Sequence, residues 1–281
     1  MIHFPGTNSG EVQDKVKAQL ERYLELMDSR LPQLLGSFYL YGSISLGAFK
    51  EGFSDIDFIG VLHTNEIKEN TLLILKEIHT VIKKEFPDTD LDGFYFFEDG
   101  LETLAKNPVP VLRFNSGSYI GTLTFYRNSI DTFQLKKYGI TVRGRKIEEV
   151  PLHVDWEQLL SGMRENLNTY WAGWAKRSRT FPSLYFFQGY LSLNSIEWGV
   201  LGVTRLYYTF RERDITSKAE AGEYALMNVP EKWHKIIEEA LRLRNKKPPK
   251  SSYNSLIRRR NEALAYMDFM IKECNERFEN N

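Results

Sequence analysis

The 281-residue sequence has a single cysteine, Cys274, and no long uncharged apolar run. One cysteine excludes an internal disulfide framework, as is usual for proteins of reducing compartments. The chain contains no stretch of about 18 apolar residues, and its first residues lack the basic and apolar regions of a signal peptide. We therefore expect a soluble, cytoplasmic protein.

The chain also has no excess of positive or negative charge, because 37 Lys and Arg residues balance 37 Asp and Glu residues. Without a net field, we expect neither a nucleic acid nor a membrane as partner. Hydrophobic residues make up 42% of the chain, enough to bury one large core or two ordinary ones. Extended disorder is therefore not expected.

The first half of the chain alternates between helical and strand-like patterns. Helical periodicity covers 11–30 and 67–86, while short aromatic or β-branched runs predict strands at 37–42, 56–62 and 91–97. The segment between the first two strands is too long for a tight hairpin and could hold a short helix. This order is typical of a compact α/β sheet domain.

Further along, Gly, Ser and Asn interrupt an aromatic alternation over 109–130, which predicts a loop or a hairpin. After Pro151 helical periodicity dominates, over 155–175, 183–211, 217–228, 231–245 and 254–277. Consecutive prolines predict a loop at 246–250. We expect an α+β protein with a sheet domain over 1–150 and an all-helical bundle over 151–281.

The stretch with the most chemical information lies at the start of the second predicted strand. Asp55 and Asp57 are two residues apart, so both carboxylates project from one face, while Ile56 and Phe58 point into the core. Mg²⁺ prefers carboxylate and phosphate oxygens, so this pair and an NTP triphosphate would complete its octahedral shell. Two such ions would stabilise both the attacking hydroxyl and the leaving pyrophosphate.

Gly42 and Ser43 lie just upstream, where the first strand ends and the short helix would begin. Glycine lets a backbone approach a phosphate closely, and N–H groups at a helix start, with the Ser43 hydroxyl, would hold terminal phosphates. Each feature alone is more typical of a turn or a surface strand. Their order, spacing and strand context together favour nucleotide chemistry.

A third carboxylate is expected on a neighbouring strand, to complete a metal shell and to accept the proton of the attacking hydroxyl. We assign this role to Asp92, with Asp90 as the fallback on the same alternating face. The alternative interpretation is a solvated aspartate at a strand edge.

Two segments of the sequence resemble known families. The pattern from Gly42-Ser43 to Asp55-Ile56-Asp57 resembles the signature of the DNA-polymerase-β-like nucleotidyltransferases. Residues 198–230 are similar to the helical C-terminal domain of the streptomycin/spectinomycin adenylyltransferases, at Thr204-Arg205, Ile215-Thr216-Ser217-Lys218 and Ala225. The resemblance implies an enzyme that transfers AMP from ATP to a hydroxyl of an aminoglycoside or aminocyclitol antibiotic and releases pyrophosphate.

The resemblance also implies roles for individual residues. Asp55 and Asp57 would hold two Mg²⁺ ions, with Asp92 in place of the family's catalytic Glu. Lys218 of the second domain would contact the nucleotide phosphates, with Arg205 as a further candidate near the nucleotide. Independently of the resemblance, Lys218 would stand in the first turn of a helix, where a cation is disfavoured and a bound triphosphate would offset that cost.

Several alternatives stay open. The nucleotide could be transferred to another metabolite or to a protein, or the chain could be a nucleotide-binding regulator without turnover. Glu157, Glu165 and Glu197 could meet a cationic acceptor or simply lie on the surface, and Thr216 or Ser217 could cap the helix of Lys218. We expect a monomer, with a dimer as the alternative.

Overall fold

A computed structural model describes residues 10–104, 106–245 and 250–279. The chain divides into two compact units, Met1–Asp155 and Trp156–Asn281. The loop predicted at 246–250 lies, apart from Lys250, outside the described residues. Within the described ranges, no helix has the length and apolar character needed to span a bilayer.

The first unit contains a six-stranded mixed sheet with the strand order β5-β4-β3-β2-β1-β6. β2 and β3 pair in parallel, and the other neighbouring strands pair antiparallel. The segment predicted as a loop or hairpin is the hairpin of β4 and β5. The strands are β1 (Leu35–Tyr41), β2 (Ile56–Leu62), β3 (Leu91–Phe96), β4 (Val109–Asn115), β5 (Ser118–Phe125) and β6 (Ile140–Arg143).

Both faces of this sheet are covered. On one face, α1 and α3 bury a core that includes Phe58, whereas the other face buries Ile59 under residues of α4 and α5. Strand β2 is therefore apolar at nearly every position, as expected for a strand buried on both sides. The helices of this unit are α1 (Gly10–Arg30), α2 (Gly42–Ser45), α3 (Glu69–Glu85), α4 (Gly100–Leu104) and α5 (Ile130–Tyr138).

The second unit is built of helices, which confirms the predicted α+β class with a helical C-terminal region. α9 packs against α10, α11 and α12. The helical periodicity predicted over 183–211 is divided between α8 and α9, because Ser192 lies between them and caps α9 by accepting the N–H of Ser195. The helices are α6 (Trp156–Asn166), α7 (Ala172–Arg179), α8 (Leu184–Leu191), α9 (Leu193–Glu212), α10 (Lys218–Asn228), α11 (His234–Arg244) and α12 (Leu256–Glu279).

Candidate active site

Two of the predicted carboxylates lie side by side on the central strands. Asp57 of β2 and Asp92 of β3 are direct partners in the parallel ladder, and Tyr41 of β1 lies opposite Asp57. Because side chains alternate along a strand, all three lie on the face that also carries Ile59. Asp55, just before β2, acts on Asp57 electrostatically. The structure thus brings the three predicted carboxylates together.

The Asp57 carboxyl group is enclosed in a negative environment, although the residue as a whole is partly exposed. Burial raises its pKa to about 8, and the carboxylates of Asp131, Asp55 and Asp92 act in the same direction. Arg113 of β4 opposes this shift only in part. A cation bound here would favour the ionised form of Asp57, which burial and the neighbouring carboxylates disfavour.

Asp131, in the first turn of α5, belongs to this group and was not predicted. Among the neighbouring carboxylates it has the largest effect on Asp57, and it also raises the pKa of the Tyr41 hydroxyl, whose main perturbation is burial. One turn later, the Gln134 side chain donates a hydrogen bond to the Gly42 carbonyl at 2.9 Å. α5 is thereby tied to the start of α2, which carries the predicted phosphate-binding residues.

The structure gives another reason for glycine at position 42 than the predicted approach to a phosphate. Its φ is +71°, and an added Cβ would lie 1.8 Å from Oδ2 of Asp57. Any side chain would displace that carboxylate, so glycine allows Asp57 to approach the backbone at the end of β1. Next to it, the buried Ser43 hydroxyl has no hydrogen-bond partner among the described residues. Phosphate binding by Gly42 and Ser43 stays a prediction.

Asp92 is held by the turn between β4 and β5. Its Oδ1 accepts the backbone N–H of Ser116 at 2.7 Å, and its Oδ2 accepts the side-chain amide of Asn115. The residue is 4% exposed, and burial raises its pKa. The fallback Asp90 is engaged differently, since Lys83 pairs with it at 2.5 Å and Ser116 Oγ donates to it at 3.0 Å.

The carboxylates fit Mg²⁺, but not as a complete protein cage. In the described part of the chain, no three His, Cys, Asp or Glu side chains are grouped so that they could hold a metal ion by themselves. The oxygens near Asp55 and Asp57 are hard donors whose mutual repulsion a cation would relieve, as Mg²⁺ sites require. Phosphate and water oxygens would have to complete the shell. Coordination by Asp92 stays a prediction, because both of its oxygens already accept hydrogen bonds.

The cations predicted to contact the nucleotide lie in the helical unit. Ser217, one of the two predicted caps, caps α10 and forms a capping box with Glu220. Lys218 follows as the first residue of α10, and its Nζ lies 3.2 and 3.3 Å from the two carboxylate oxygens of Glu197. Burial lowers the pKa of Lys218, and Arg205 of α9 lowers it further.

Among the three glutamates suggested as partners of an acceptor, one is not at the surface. Glu197 is only 6% exposed, because its position on α9 faces α10 and α11, where Lys218 and Arg244 bind it. Glu157 and Glu165 are exposed, and Glu157 pairs with Arg213 at 2.6 Å. The surface interpretation of Glu197 is therefore wrong, because this residue belongs to a buried ion-pair cluster.

The similarity to a protein family lies in the helical unit. Residues 193–273 match the family model described as the C-terminal domain of aminoglycoside adenylyltransferases. Over these residues the chain is similar to aminoglycoside adenylyltransferases, as the sequence predicted. The match includes Glu197, Arg205, Lys218 and Arg244 and leaves out the carboxylates of the sheet.

The fold of the chain is also found in a solved structure. The crystal structure of spectinomycin adenyltransferase AAD(9) from Enterococcus faecialis with ATP and spectinomycin aligns with a TM-score of 0.66 and 13% identity. The alignment covers 90% of this chain and 99% of that one, so it extends over both units. No curated protein matches the chain.

Proposed function

We propose that this protein transfers AMP from ATP to a hydroxyl group of an aminoglycoside or aminocyclitol antibiotic and releases pyrophosphate. The observation that carries the proposal is the group of carboxylates around Asp57, whose charge calls for divalent cations. The likeness to AAD(9), which was crystallised with ATP and spectinomycin, supports the choice of the two substrates.

Asp55 and Asp57 would hold two Mg²⁺ ions, which supply Lewis-acid stabilisation of the phosphoryl oxygens when bound. Asp92 accepts the proton of the attacking hydroxyl, and its hydrogen bonds from Asn115 and Ser116 fix its orientation. Its raised pKa brings it towards the range in which a carboxylate is an effective general base.

The reaction forms a bond between the acceptor oxygen and the α-phosphorus of ATP. The bond between that phosphorus and the oxygen bridging to the β-phosphorus breaks, and pyrophosphate leaves. Lys218 and Arg205 bind phosphate oxygens in this scheme, and Gly42 and Ser43 contribute backbone and hydroxyl donors to the terminal phosphates. No covalent enzyme intermediate is needed.

The test is pyrophosphate release by the purified full-length protein with MgATP and a panel of antibiotics that includes spectinomycin and streptomycin. We expect release with at least one acceptor, none without acceptor, and loss on adding EDTA. Parallel assays with GTP, CTP and UTP define the base preference. Binding of ATP without release for any acceptor would contradict the proposal and leave a nucleotide-binding protein.

A further inference from the structure

An arginine lies on the same face of the sheet as the carboxylates. Arg113 of β4 is opposite Phe94 of β3 in the antiparallel ladder, and Phe94 is the next residue after Asp92 on that face. Arg113 is therefore a diagonal neighbour of Asp92, at a separation that a long side chain can span. Burial raises the pKa of both Asp57 and Asp92, and Arg113 lowers both, so its charge is felt at the two carboxyl groups.

The Arg113 guanidinium is not the ion-pair partner of these carboxylates. It has no hydrogen-bond or ion-pair partner among the described residues, and the two oxygens of Asp92 are engaged by Asn115 and Ser116. An arginine that neutralises a carboxylate directly is often joined to it by two parallel hydrogen bonds. Arg113 acts on the carboxylates from a distance, so its N–H donors can bind another group.

Phe94 holds the guanidinium in place. The ζ carbon of Arg113 lies 4.5 Å from the centre of the Phe94 ring, which is within the range of cation–π attraction. The Phe94 ring is fixed in turn by the buried Phe125, which packs edge-to-face against it at 5.0 Å. A contact with a ring face uses none of the five N–H donors of a guanidinium. The position of Arg113 is therefore set without the loss of a donor.

The neighbouring strand on the other side leaves space beside Arg113. Arg113 pairs with Gly121 of β5, and a Cβ added at Gly121 would have no atom within 4 Å. Arg113 itself is only partly buried. A planar cation with available donors, next to open space, matches the geometry of phosphate oxygens. The ammonium groups of an aminoglycoside would be repelled by it, so the nucleotide is the substrate that it fits.

The order of the strands indicates which phosphate Arg113 would contact. β1, β2, β3 and β4 are neighbours in this order, so Gly42, Asp57, Asp92 and Arg113 follow one another across the sheet. In the proposed reaction the terminal phosphates lie at Gly42 and the attacking hydroxyl lies at Asp92. Arg113 is beside Asp92 on the side away from Gly42. It is therefore nearer to the phosphorus that is attacked than to the terminal phosphates.

We propose that Arg113 is a catalytic residue that binds a non-bridging oxygen of the α-phosphate and stabilises its charge while AMP is transferred. Phe94 is a positioning residue that holds the guanidinium towards that oxygen. This inference rests on the proposed function, because it assumes that a nucleoside triphosphate is attacked beside Asp92. It assigns to Arg113 a role that the sequence had not suggested.

The first test compares R113Q with K76Q in the full-length protein. Lys76 also lies over an aromatic ring of the sheet unit, that of Tyr119 at 4.8 Å, so K76Q controls for the loss of a cation–π contact. Binding of α,β-methylene-ATP and of adenosine is measured by calorimetry with Mg²⁺. We expect R113Q to weaken triphosphate binding about tenfold, the loss of one charged hydrogen bond, and K76Q to leave it unchanged. Adenosine has no phosphate, so its binding should be unchanged in both variants.

The second test locates the contact on the α-phosphate. In each diastereomer of ATPαS, sulfur replaces one non-bridging α-oxygen, and sulfur is a weak hydrogen-bond acceptor. We expect R113Q to lower kcat with ATP at least about tenfold. One diastereomer should slow pyrophosphate release by wild type markedly more than release by R113Q, because an interaction that is already absent cannot be lost again. Equal slowing of the two proteins by both diastereomers would overturn the assignment.

R113K keeps the charge and addresses the possibility that R113Q does not fold. We expect R113K to bind the triphosphate more weakly than wild type, because a lysine lacks the planar fork, and to retain adenosine binding. Triphosphate binding within about twofold of wild type in R113Q, or in R113K if only that variant folds, would overturn the inference. A higher KM for the antibiotic with unchanged nucleotide binding would also overturn it, because Arg113 would then contact the acceptor.

Failure of the inference and failure of the proposed function give different results. If wild type releases no pyrophosphate with any acceptor, the proposed function fails, and the role of Arg113 fails with it. If wild type is active and R113Q matches it in kcat and in triphosphate binding, only the role of Arg113 fails.

The positioning role of Phe94 is tested with F94L, alone and combined with R113Q. We expect F94L to lower kcat several-fold and the double variant to be no slower than R113Q, because the ring acts only through the guanidinium. A ring with a merely structural role would lower kcat by the same factor in both backgrounds. That result would contradict the positioning role.

Discussion

The carboxylates of the sheet unit and the ion pairs of the helical unit show two ways of placing charge inside a protein. Around Asp57, burial and three further carboxylates raise its pKa, and Arg113 opposes them only in part. In the helical unit, Lys218 and Arg244 both bind the carboxylate of Glu197, so opposite charges are paired there. Buried like charges destabilise a fold, and a divalent cation would relieve the repulsion around Asp57.

The opposite face of the same sheet shows how this protein buries polar groups when no charge is needed. Tyr23 and Tyr95 share a hydrogen bond of 2.5 Å, and Tyr95 and His79 share one of 2.7 Å. Burial lowers the pKa of His79 to about 3, so the imidazole stays neutral. On the neutral face Tyr95 thus pairs with both Tyr23 and His79, whereas on the charged face Asp57 and Asp92 lie side by side.

The largest expected effect is that of D57N. We expect kcat to fall by about 10³-fold or more, since several kcal/mol of metal-ion stabilisation are lost, while the melting temperature in EDTA stays the same or rises. Pyrophosphate release and thermal unfolding measure the two quantities. D88N, a change of an exposed aspartate, is the matched control and should leave both unchanged. Equal activity of D57N and wild type would show that the Asp57 carboxylate is not needed for the reaction.

Substitution of Asp92 should have the second largest effect on kcat. We expect D92N to lower kcat at least about 10²-fold through loss of the general base, with nucleotide binding retained. D92E keeps a carboxylate at this position and should keep far more activity than D92N. If D92N weakens nucleotide binding and leaves kcat unchanged, Asp92 is a binding residue and not the base.

The two faces should also respond to pH in opposite directions. The folded pKa of Asp57 is raised from 3.8 to about 8, so the unfolded chain releases this proton first and stability falls as pH rises through that range. The folded pKa of His79 is lowered from 6.5 to about 3, so its contribution is lost as pH falls through that range.

Unfolding in urea with EDTA measures these contributions, each on the order of a few kcal/mol. D57N should remove the loss of stability at alkaline pH. In wild type, saturating Mg²⁺ together with a nucleotide should also reduce that loss. A D57N protein whose stability changes with pH as that of wild type does would show that the Asp57 carboxyl is not strained.

Much of the sheet unit follows from sequence patterns because it depends on local periodicity. β2 was predicted with the bounds that the structure has, 56–62, since both of its faces are apolar and a polar segment precedes it. The pairing of Asp57 with Asp92 follows from the parallel register of β2 and β3, whereas the sequence predicted only that Asp92 lies on a neighbouring strand. The boundary between α8 and α9 at Ser192 could not be located from the sequence, because apolar periodicity continues on both sides of it.

The charged groups could not be completed from the sequence, because their members come from distant segments. Asp131 looks like an ordinary acidic residue in the first turn of a capped helix, and only the position of α5 beside β1 brings it near Asp57. Glu197 and Arg244 likewise have unremarkable helical contexts. Their role depends on the packing of α9 against α10 and α11, which sequence periodicity does not specify.

A change on the neutral face should affect stability alone. We expect Y95F to lower the free energy of unfolding by about 1–3 kcal/mol, because it leaves the Tyr23 hydroxyl and the His79 imidazole without their partner. Activity per folded molecule should be unchanged. Urea titration and the pyrophosphate assay measure the two, and Y23F, which removes only one of the bonds, should cost less. A loss of kcat in Y95F would mean that the two faces are not independent.

The smallest expected effect is that of D131N. Removing one of the carboxylates near Asp57 reduces the negative charge that attracts cations. We expect the Mg²⁺ concentration that gives half-maximal activity to rise several-fold, the scale of a single charge at an effective dielectric constant of about 20. At high Mg²⁺ the kcat should be restored. A loss of kcat that Mg²⁺ does not restore would instead place Asp131 in direct contact with a reacting group.

The central claim is that the carboxylates of the sheet unit and a triphosphate bind divalent cations together. Thermal unfolding of wild type and D57N with Mg²⁺, with α,β-methylene-ATP and with both ligands tests it directly, since a ligand that binds only the folded state raises its stability. We predict a marked rise for wild type only when both ligands are present, and none for D57N. Equal shifts in the two proteins would contradict the claim.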